Sequence, residues 1–243
     1  MQRITVAVVA ALGTSAALAV DAGQLAFTSF NADEDGWSVV ALTDLAAGTT
    51  IYFSERTWDA AAGTFAGGEA TYRWELDDGA VAAGSVVRFA SVNNAGRSAS
   101  AGSISASGVA NLSATGETLF AFLGATPDVP DSFVAALSTE GFSGGQLDAT
   151  GLGVGAGALS LPAGADYGEY AGPRDGLASF GDYAALVNDA SNWDVAISGD
   201  LSARQPDLAA FSVAAPVPEP SAYAMLLTGL GLAALSVRRR TSV

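Results

Sequence analysis

The 243-residue chain has no cysteine and no histidine, and its ten positive charges are all arginine, since lysine is missing as well. Without cysteine no disulfide can hold the fold, so a hydrophobic core must do so. The two absences together exclude thiol nucleophiles, Ser-His-Asp triads and zinc held by His or Cys. Chemistry is left to carboxylates, Tyr, Arg or a hard metal ion. Positive charge is scarce: ten Arg stand against 25 Asp plus Glu, a formal net charge of −15. Such acidity speaks against nucleic acid or an anionic membrane surface as partner, because both demand a positive footprint. It suits solubility, cation binding and salt-dependent association.

What is present begins with two apolar ends. Residues 1–19 carry one positive charge at Arg3, an apolar run from Ile4, and Ala17-Leu18-Ala19, the small-x-small pattern of a cleavage site. This predicts a secretory signal helix removed by signal peptidase after Ala19, with Ala17 and Ala19 as the recognised small residues. At the other end, Val217-Pro218-Glu219-Pro220-Ser221 leads into an uncharged apolar run from Ala222 to Val237, which stops at Arg238-Arg239-Arg240. As a helix the run spans about 24 Å at ~1.5 Å per residue, a little short of a ~30 Å hydrocarbon core. Three arginines cost too much to translocate, so they stay cytoplasmic and everything before Val217 lies on the other side. The prolines keep the segment ahead of the helix extended, a form that a processing enzyme can grip. A plain C-terminal anchor with a chance Pro-Glu-Pro is the bland alternative.

The triplet Pro218-Glu219-Pro220, the short apolar helix with Gly229 and Gly231, and the basic end together resemble the PEP-CTERM sorting signal of Gram-negative bacteria. The resemblance covers the tail only. It implies a transmembrane sorting helix at 222–237 with a basic end at 238–240, transient anchoring in the inner membrane, and recognition by an exosortase. It further implies removal of the helix and delivery of the rest to the envelope, cell surface or extracellular matrix, as a biofilm or exopolysaccharide-associated protein. The chain then divides into a signal peptide (1–19), a body (20–213) and a linker with sorting signal (214–243). Removing residues 1–19 and 218–243 takes away four of the ten arginines and one of the 25 acids. Six positive and 24 negative groups remain, a formal charge of −18 on the mature body.

Within the body the local pattern is strand, turn, strand. Strands are predicted at Gln24 to Phe30, Trp37 to Leu42, Thr49 to Ser54, Ala70 to Leu76 and Ser85 to Val92, each bounded by Gly, Asn or Asp. Ile51 and Phe53 alternate against Tyr52, and Tyr72 and Trp74 against Thr71, Arg73 and Glu75. Asn94 to Gly108 is a loose loop or a short edge strand. Thr118 to Leu123 and Ser132 to Leu137 read as a hairpin closed across Pro127 to Pro130, followed by weaker strands at Leu159 to Leu161 and Tyr167 to Tyr170. One helix is predicted over Ser179 to Ala190, with Phe180, Tyr183, Ala184 and Val187 on one face, Ser179 as cap and Asp182 in the first turn. Leu208 to Val213 is expected as a last strand. Many short strands and one small helix predict an all-β fold, an antiparallel β-sandwich. Ala46-Ala47-Gly48 and Ala82-Ala83-Gly84 echo each other, and Pro162-Ala163-Gly164 more faintly, as recurrent turn chemistry and not a solenoid repeat. The block from Ala26 to Trp58 resembles a domain of secreted bacterial proteins distantly similar to lamin-tail-like sandwiches. That resemblance implies an immunoglobulin-like fold and transfers no catalytic residue.

Three features invite a site. Asn31-Ala32-Asp33-Glu34-Asp35-Gly36 matches the first half of a calcium loop, with Asn31, Asp33 and Asp35 as oxygen ligands. Position twelve is Leu42, so an EF-hand is excluded, and the stretch is either a polar hairpin loop or a looser calcium site completed by Asp44 or Glu55. Glu55, Asp59, Glu69, Glu75, Asp77 and Asp78 form a carboxylate patch around Trp58 and Trp74. It offers the ingredients of a glycosidase or of a carbohydrate-binding face with Trp58 as the platform, set against an ordinary acidic surface. Asn111-Leu112-Ser113 fits a glycosylation acceptor, which a bacterial chain does not use, and Arg174 is a surface ion pair with Asp175 or a distant acid. The overall expectation is an exported sandwich with no catalytic residues and no required cofactor. A calcium- or carbohydrate-binding surface module, binding extracellular polysaccharide, is the second reading and a carboxylate glycoside hydrolase the third.

Overall fold

Strands that alternate aromatic with small polar residues can bury their aromatic sides by lying face to face in two sheets. A computed structural model of the protein, describing residues 20–77, 79–215, 225–228 and 230, has this layering. In chain order the strands are β1 (Leu25–Asn31), β2 (Gly36–Ala41), β3 (Thr50–Ser54), β4 (Thr57–Asp59), β5 (Thr64–Ala66), β6 (Thr71–Glu75), β7 (Val86–Ala90), β8 (Ser98–Ala99) and β9 (Ser103–Ser107). There follow β10 (Thr118–Leu123), β11 (Ser132–Ser138), β12 (Gly153–Val154), β13 (Gly157–Ser160) and β14 (Tyr167–Tyr170), then the helix α1 (Tyr183–Val187) and β15 (Trp193–Ala196). One sheet has the order β15-β14-β1-β2-β7-β8 and the other β12-β13-β11-β10-β3-β6-β9, with β4-β5 a separate hairpin.

The all-β sandwich with one short helix is as expected, but the sheets are not purely antiparallel. Strand β13 pairs parallel with both β11 and β12. The chain leaves β11 at Ser138, runs through residues 139–152, and re-enters the sheet edge in the same direction, which a tight hairpin does not allow. Six and seven strands also exceed the seven to nine in total of an immunoglobulin domain, so the likeness to that fold is in the layering.

Two further expectations are corrected. Leu208 to Val213 is no strand: apart from a single bridge between Leu177 and Val213, it is an irregular strap. The helix expected over Ser179 to Ala190 is shorter, a 3-10 turn at Phe180–Asp182, the five residues of α1, and a second 3-10 turn at Ala190–Asn192. Its end is set by side chains that take its last carbonyls: Asn188 Nδ2 donates to Ala184 O (2.8 Å), Asn192 Nδ2 to Leu186 O (2.9 Å) and Trp193 Nε1 to Val187 O (2.8 Å). Asparagine competes with backbone partners in this way, which favours helix ends over helix interiors. The Asp182 carboxylate accepts from the Ser179 amide at the start, as the cap pattern implies.

Between the sheets lies an aromatic core. Trp37 meets Phe53, Tyr72 and Phe89 at ring separations of 5.2, 5.0 and 5.2 Å, and Trp74 meets Phe89 at 5.2 Å. Ile51 and Phe53 face this core with Tyr72 and Trp74, as the alternation requires. The outer face of the seven-stranded sheet is covered as well. Hairpin β4–β5 folds over it, and Trp58 and Phe65 join Tyr52, Phe120, Phe122 and Phe133 in a second apolar cluster. The sequence does not announce this hairpin, because its three-residue strands are too short to show a period.

The echoing glycine turns prove to be neighbours. Leu45 and Val81, just ahead of them, exchange both backbone hydrogen bonds, at 2.8 and 2.9 Å. Gly84 has φ of +86°, and a Cβ there would stand 2.4 Å from Phe211 O, so the position demands glycine for both conformation and space.

Candidate functional site

The sorting residues Val217, Pro218, Glu219, Pro220, Arg238, Arg239 and Arg240, and the cleavage residues Ala17 and Ala19, lie outside the described residues, as does most of the expected transmembrane helix. Residues 225–228 and 230 are helical. Met225, Leu226, Leu227 and Leu230 are 59–76% exposed, so these apolar side chains are not packed into the sandwich. Among the described residues no helix is long and apolar enough to cross a membrane.

The strap that leads into this tail is firmly held. The Ser212 amide donates to Arg174 O (2.7 Å), the Phe211 amide to Gly84 O (2.8 Å) and the Ala214 amide to Leu177 O (2.8 Å). Phe211 is buried, stacked on Tyr170 at 5.7 Å and edge-on to Tyr183 at 5.1 Å, with the Arg174 guanidinium 5.0 Å from its ring centre. Arg174 also pairs with Asp207 at 3.4 Å, the distant-acid alternative and not its neighbour Asp175. The described contacts of the strap thus reach at least Ala214.

The residues of the candidate calcium loop form the hairpin turn between β1 and β2 and are spent on the protein itself. Asn31 Oδ1 accepts the amides of Asp33 and Glu34, both at 3.1 Å, and its Nδ2 donates to Leu201 O at 3.0 Å. Asp33 Oδ2 accepts the Leu201 amide (2.7 Å), while Asp35, buried and with φ of +54°, accepts the Leu112 amide (2.7 Å) and Asn93 Nδ2. Asn31 and Asp33 therefore serve the 201–204 segment and Asp35 serves another. Among the described residues no three acids stand close enough to hold a metal ion.

Trp58 is only 8% exposed, its ring 4.8 Å from Phe133 and its indole N–H donating to Asp148 O at 2.9 Å. It touches the rim of a shallow groove with Asp21, Asp131 and Thr150, but its large face is turned inward. Trp74 is buried in the main core. The carboxylate patch does not converge either: Asp59 caps the amides of Ala61 and Ala62, Glu75 pairs with Arg73, and Asp77 accepts from Ser103, while Asp78 lies outside the described residues.

Two members of that patch, Glu55 and Glu69, do come together, with two acids the sequence reading passed over. A cavity of about 160 Å³ is lined by Glu55, Glu69, Glu117, Glu140, Arg56 and Gln146. Glu55 and Glu117 are each 5% exposed. Glu55 accepts from the Tyr72 hydroxyl and the Ala70 amide, and Glu117 from the amides of Ser113 (2.9 Å) and Thr118 (3.0 Å). Burial outweighs these bonds and the mutual repulsion of the carboxylates adds to it, so the Glu55 carboxyl is pushed up to about 7 and that of Glu117 to about 8. Chemically the pair holds protons near neutrality. Glu117 and Glu140 are 62 and 85 residues beyond Glu55, and no local pattern ties them to it.

No curated protein and no solved structure matches the chain. One match coincides with the tail described above: residues 216–240 match the family model of the PEP-CTERM protein-sorting motif.

Proposed function

We propose that the protein is a non-catalytic component of the cell surface or extracellular matrix, exported with its tail in the inner membrane and finished there by exosortase cleavage. The observation that carries this is the sorting motif at residues 216–240, which implies exosortase targeting and export to the envelope. The way the fold ends supports it. Among the described residues the last backbone bond to the body is made by Ala214, and the apolar residues described beyond it are exposed. Cutting near Pro218 would leave the described contacts of Phe211, Ser212 and Ala214 in place. At most about 28 Å of chain, at ~3.5 Å per residue, separates Ala214 from the start of the apolar run at Ala222, so the body stays close to the bilayer until it is cut.

A structural role in a biofilm or exopolysaccharide layer fits the acidic body and the covered sheet faces. A glycosidase needs two acids in a cleft beside exposed rings for sugar stacking, and here Trp58 and Trp74 are both turned into cores. That favours the non-catalytic reading. The test is the intact mass of the protein recovered from envelope and medium of the producing cell. A product lacking residues 1–19 and the apolar helix is expected. Full-length protein in the cytosol overturns the proposal.

A further inference from the structure

Residues 109–117 carry no strand and yet must travel from β9, at one edge of the seven-stranded sheet, across the ends of β6 and β3 to β10. Leu112 in their midst is 3% exposed, so the segment caps the inter-sheet core at that end. Its backbone is gripped in an unusual way. Two successive amides donate to carboxyl groups from separate parts of the chain, Leu112 to that of Asp35 at 2.7 Å and Ser113 to that of Glu117 at 2.9 Å, and the Asn111 backbone lies beside the carboxyl of Glu55. All three acids are at most 7% exposed.

We propose that segment 111–113 is a pH-sensitive latch, closed while Glu55 and Glu117 share protons between them and opened, uncovering Leu112 and the end of the core, when both are ionised. A protonated carboxyl still accepts an amide N–H through its carbonyl oxygen, more weakly than a carboxylate does, so the latch opens on ionisation because burial and mutual repulsion of the charged acids outweigh these bonds. Ionising them stacks like charges in a site with little water, where repulsion is screened least.

The surroundings offer little relief. Glu55 faces the Tyr72 hydroxyl and the Ala70 amide, Asp35 faces Asn93 and lies beside Asp33, and Glu117 faces the Thr118 amide. Glu69 and Glu140 add negative charge at the cavity. The nearby cations are committed elsewhere: Arg56 binds Asp128 and the carbonyls of Phe65 and Gly67, and Arg88 binds Glu34. Burial raises all three acids above their ordinary values, Glu55 to about 7 and Glu117 to about 8.

Amide hydrogen exchange on the protein recovered from its producing cells, followed by mass spectrometry at pH 5, 7 and 9 with exchange times matched for intrinsic rates, tests the latch. Protection of a peptide spanning 109–117 is expected to fall about tenfold or more between pH 5 and pH 9 while peptides of β10 and β11 keep theirs. In Glu117→Gln and Glu55→Gln, each of which removes one charge without changing shape, protection at pH 9 is expected to stay near the pH 5 level. Equal protection of 109–117 in the unmutated protein at pH 5 and 9, or a loss shared equally by all strands, overturns the proposal whether or not the variants fold.

Discussion

The hydroxyl of Tyr72, on the inward face of β6, donates its hydrogen to the carboxylate of Glu55, just beyond β3, and both side chains are buried. The bond grows stronger as Glu55 ionises, because a charged acceptor binds a donor about twice as tightly as a neutral one. Tyr72→Phe is therefore expected to cost about 1 kcal/mol at pH 5 and about 2–3 kcal/mol at pH 9. Urea unfolding at the two pH values measures both. An equal loss at each would mean that the carboxyl does not change charge between them.

Stability should fall as pH rises toward neutrality. Glu55 at about 7 and Glu117 at about 8 lie above the ordinary 4.5, so the folded chain binds more protons than the unfolded one between these limits. Their contribution is complete below about pH 4.5, is lost through about pH 8 and is flat above that. Asp189 and Asp200, held low by bonds from Ser191 and Ser202, act in the opposite sense and matter only as pH drops through the ordinary Asp range. A maximum in melting temperature near pH 5 is expected at constant ionic strength. A melting temperature that climbs steadily from pH 5 to pH 8 would contradict the burial of these acids.

Trp58→Ala should behave as a core deletion. It empties the centre of the cluster formed with Phe65 and Phe133 and orphans the Asp148 carbonyl, at a cost of about 3–5 kcal/mol. Calorimetric unfolding checks this. A variant as stable as the parent but impaired in polysaccharide binding would restore Trp58 as a sugar platform.

Phe211→Ala should free the strap. Loss of a buried ring flanked by Tyr170, Tyr183 and Arg174 is worth about 3 kcal/mol or more, and the strap has no sheet ladder to fall back on. Limited proteolysis is expected to cut within residues 200–215 at protease levels that spare the parent, with the remaining body still folded. Unchanged proteolysis would show that the amide bonds of Phe211, Ser212 and Ala214 hold the strap alone.

Calcium should not stabilise the body through its first hairpin, since the oxygens of Asn31, Asp33 and Asp35 already accept backbone or side-chain donors. Melting in millimolar CaCl₂ is expected to match melting in NaCl of equal ionic strength. A specific rise that Asp33→Asn abolishes would revive the calcium loop.

The sequence by itself determined the address and the alternation. Pro218-Glu219-Pro220, the apolar run and the arginines are contiguous, so their meaning needs no folding, and residues 216–240 match the sorting motif accordingly. Ile51, Phe53, Tyr72 and Trp74 face the core because side chains of a strand alternate whatever its partner is. Tertiary structure alone decided the rest. Whether Trp58 is platform or core depended on which face hairpin β4–β5 covers, and whether β13 runs parallel depended on the path of residues 139–152. The gathering of Asp35, Glu55 and Glu117 on segment 111–113 depended on where an irregular connection crosses the sheet. Local pattern fixes what a residue presents; only long-range packing fixes to whom, and buried charge takes its properties from that company.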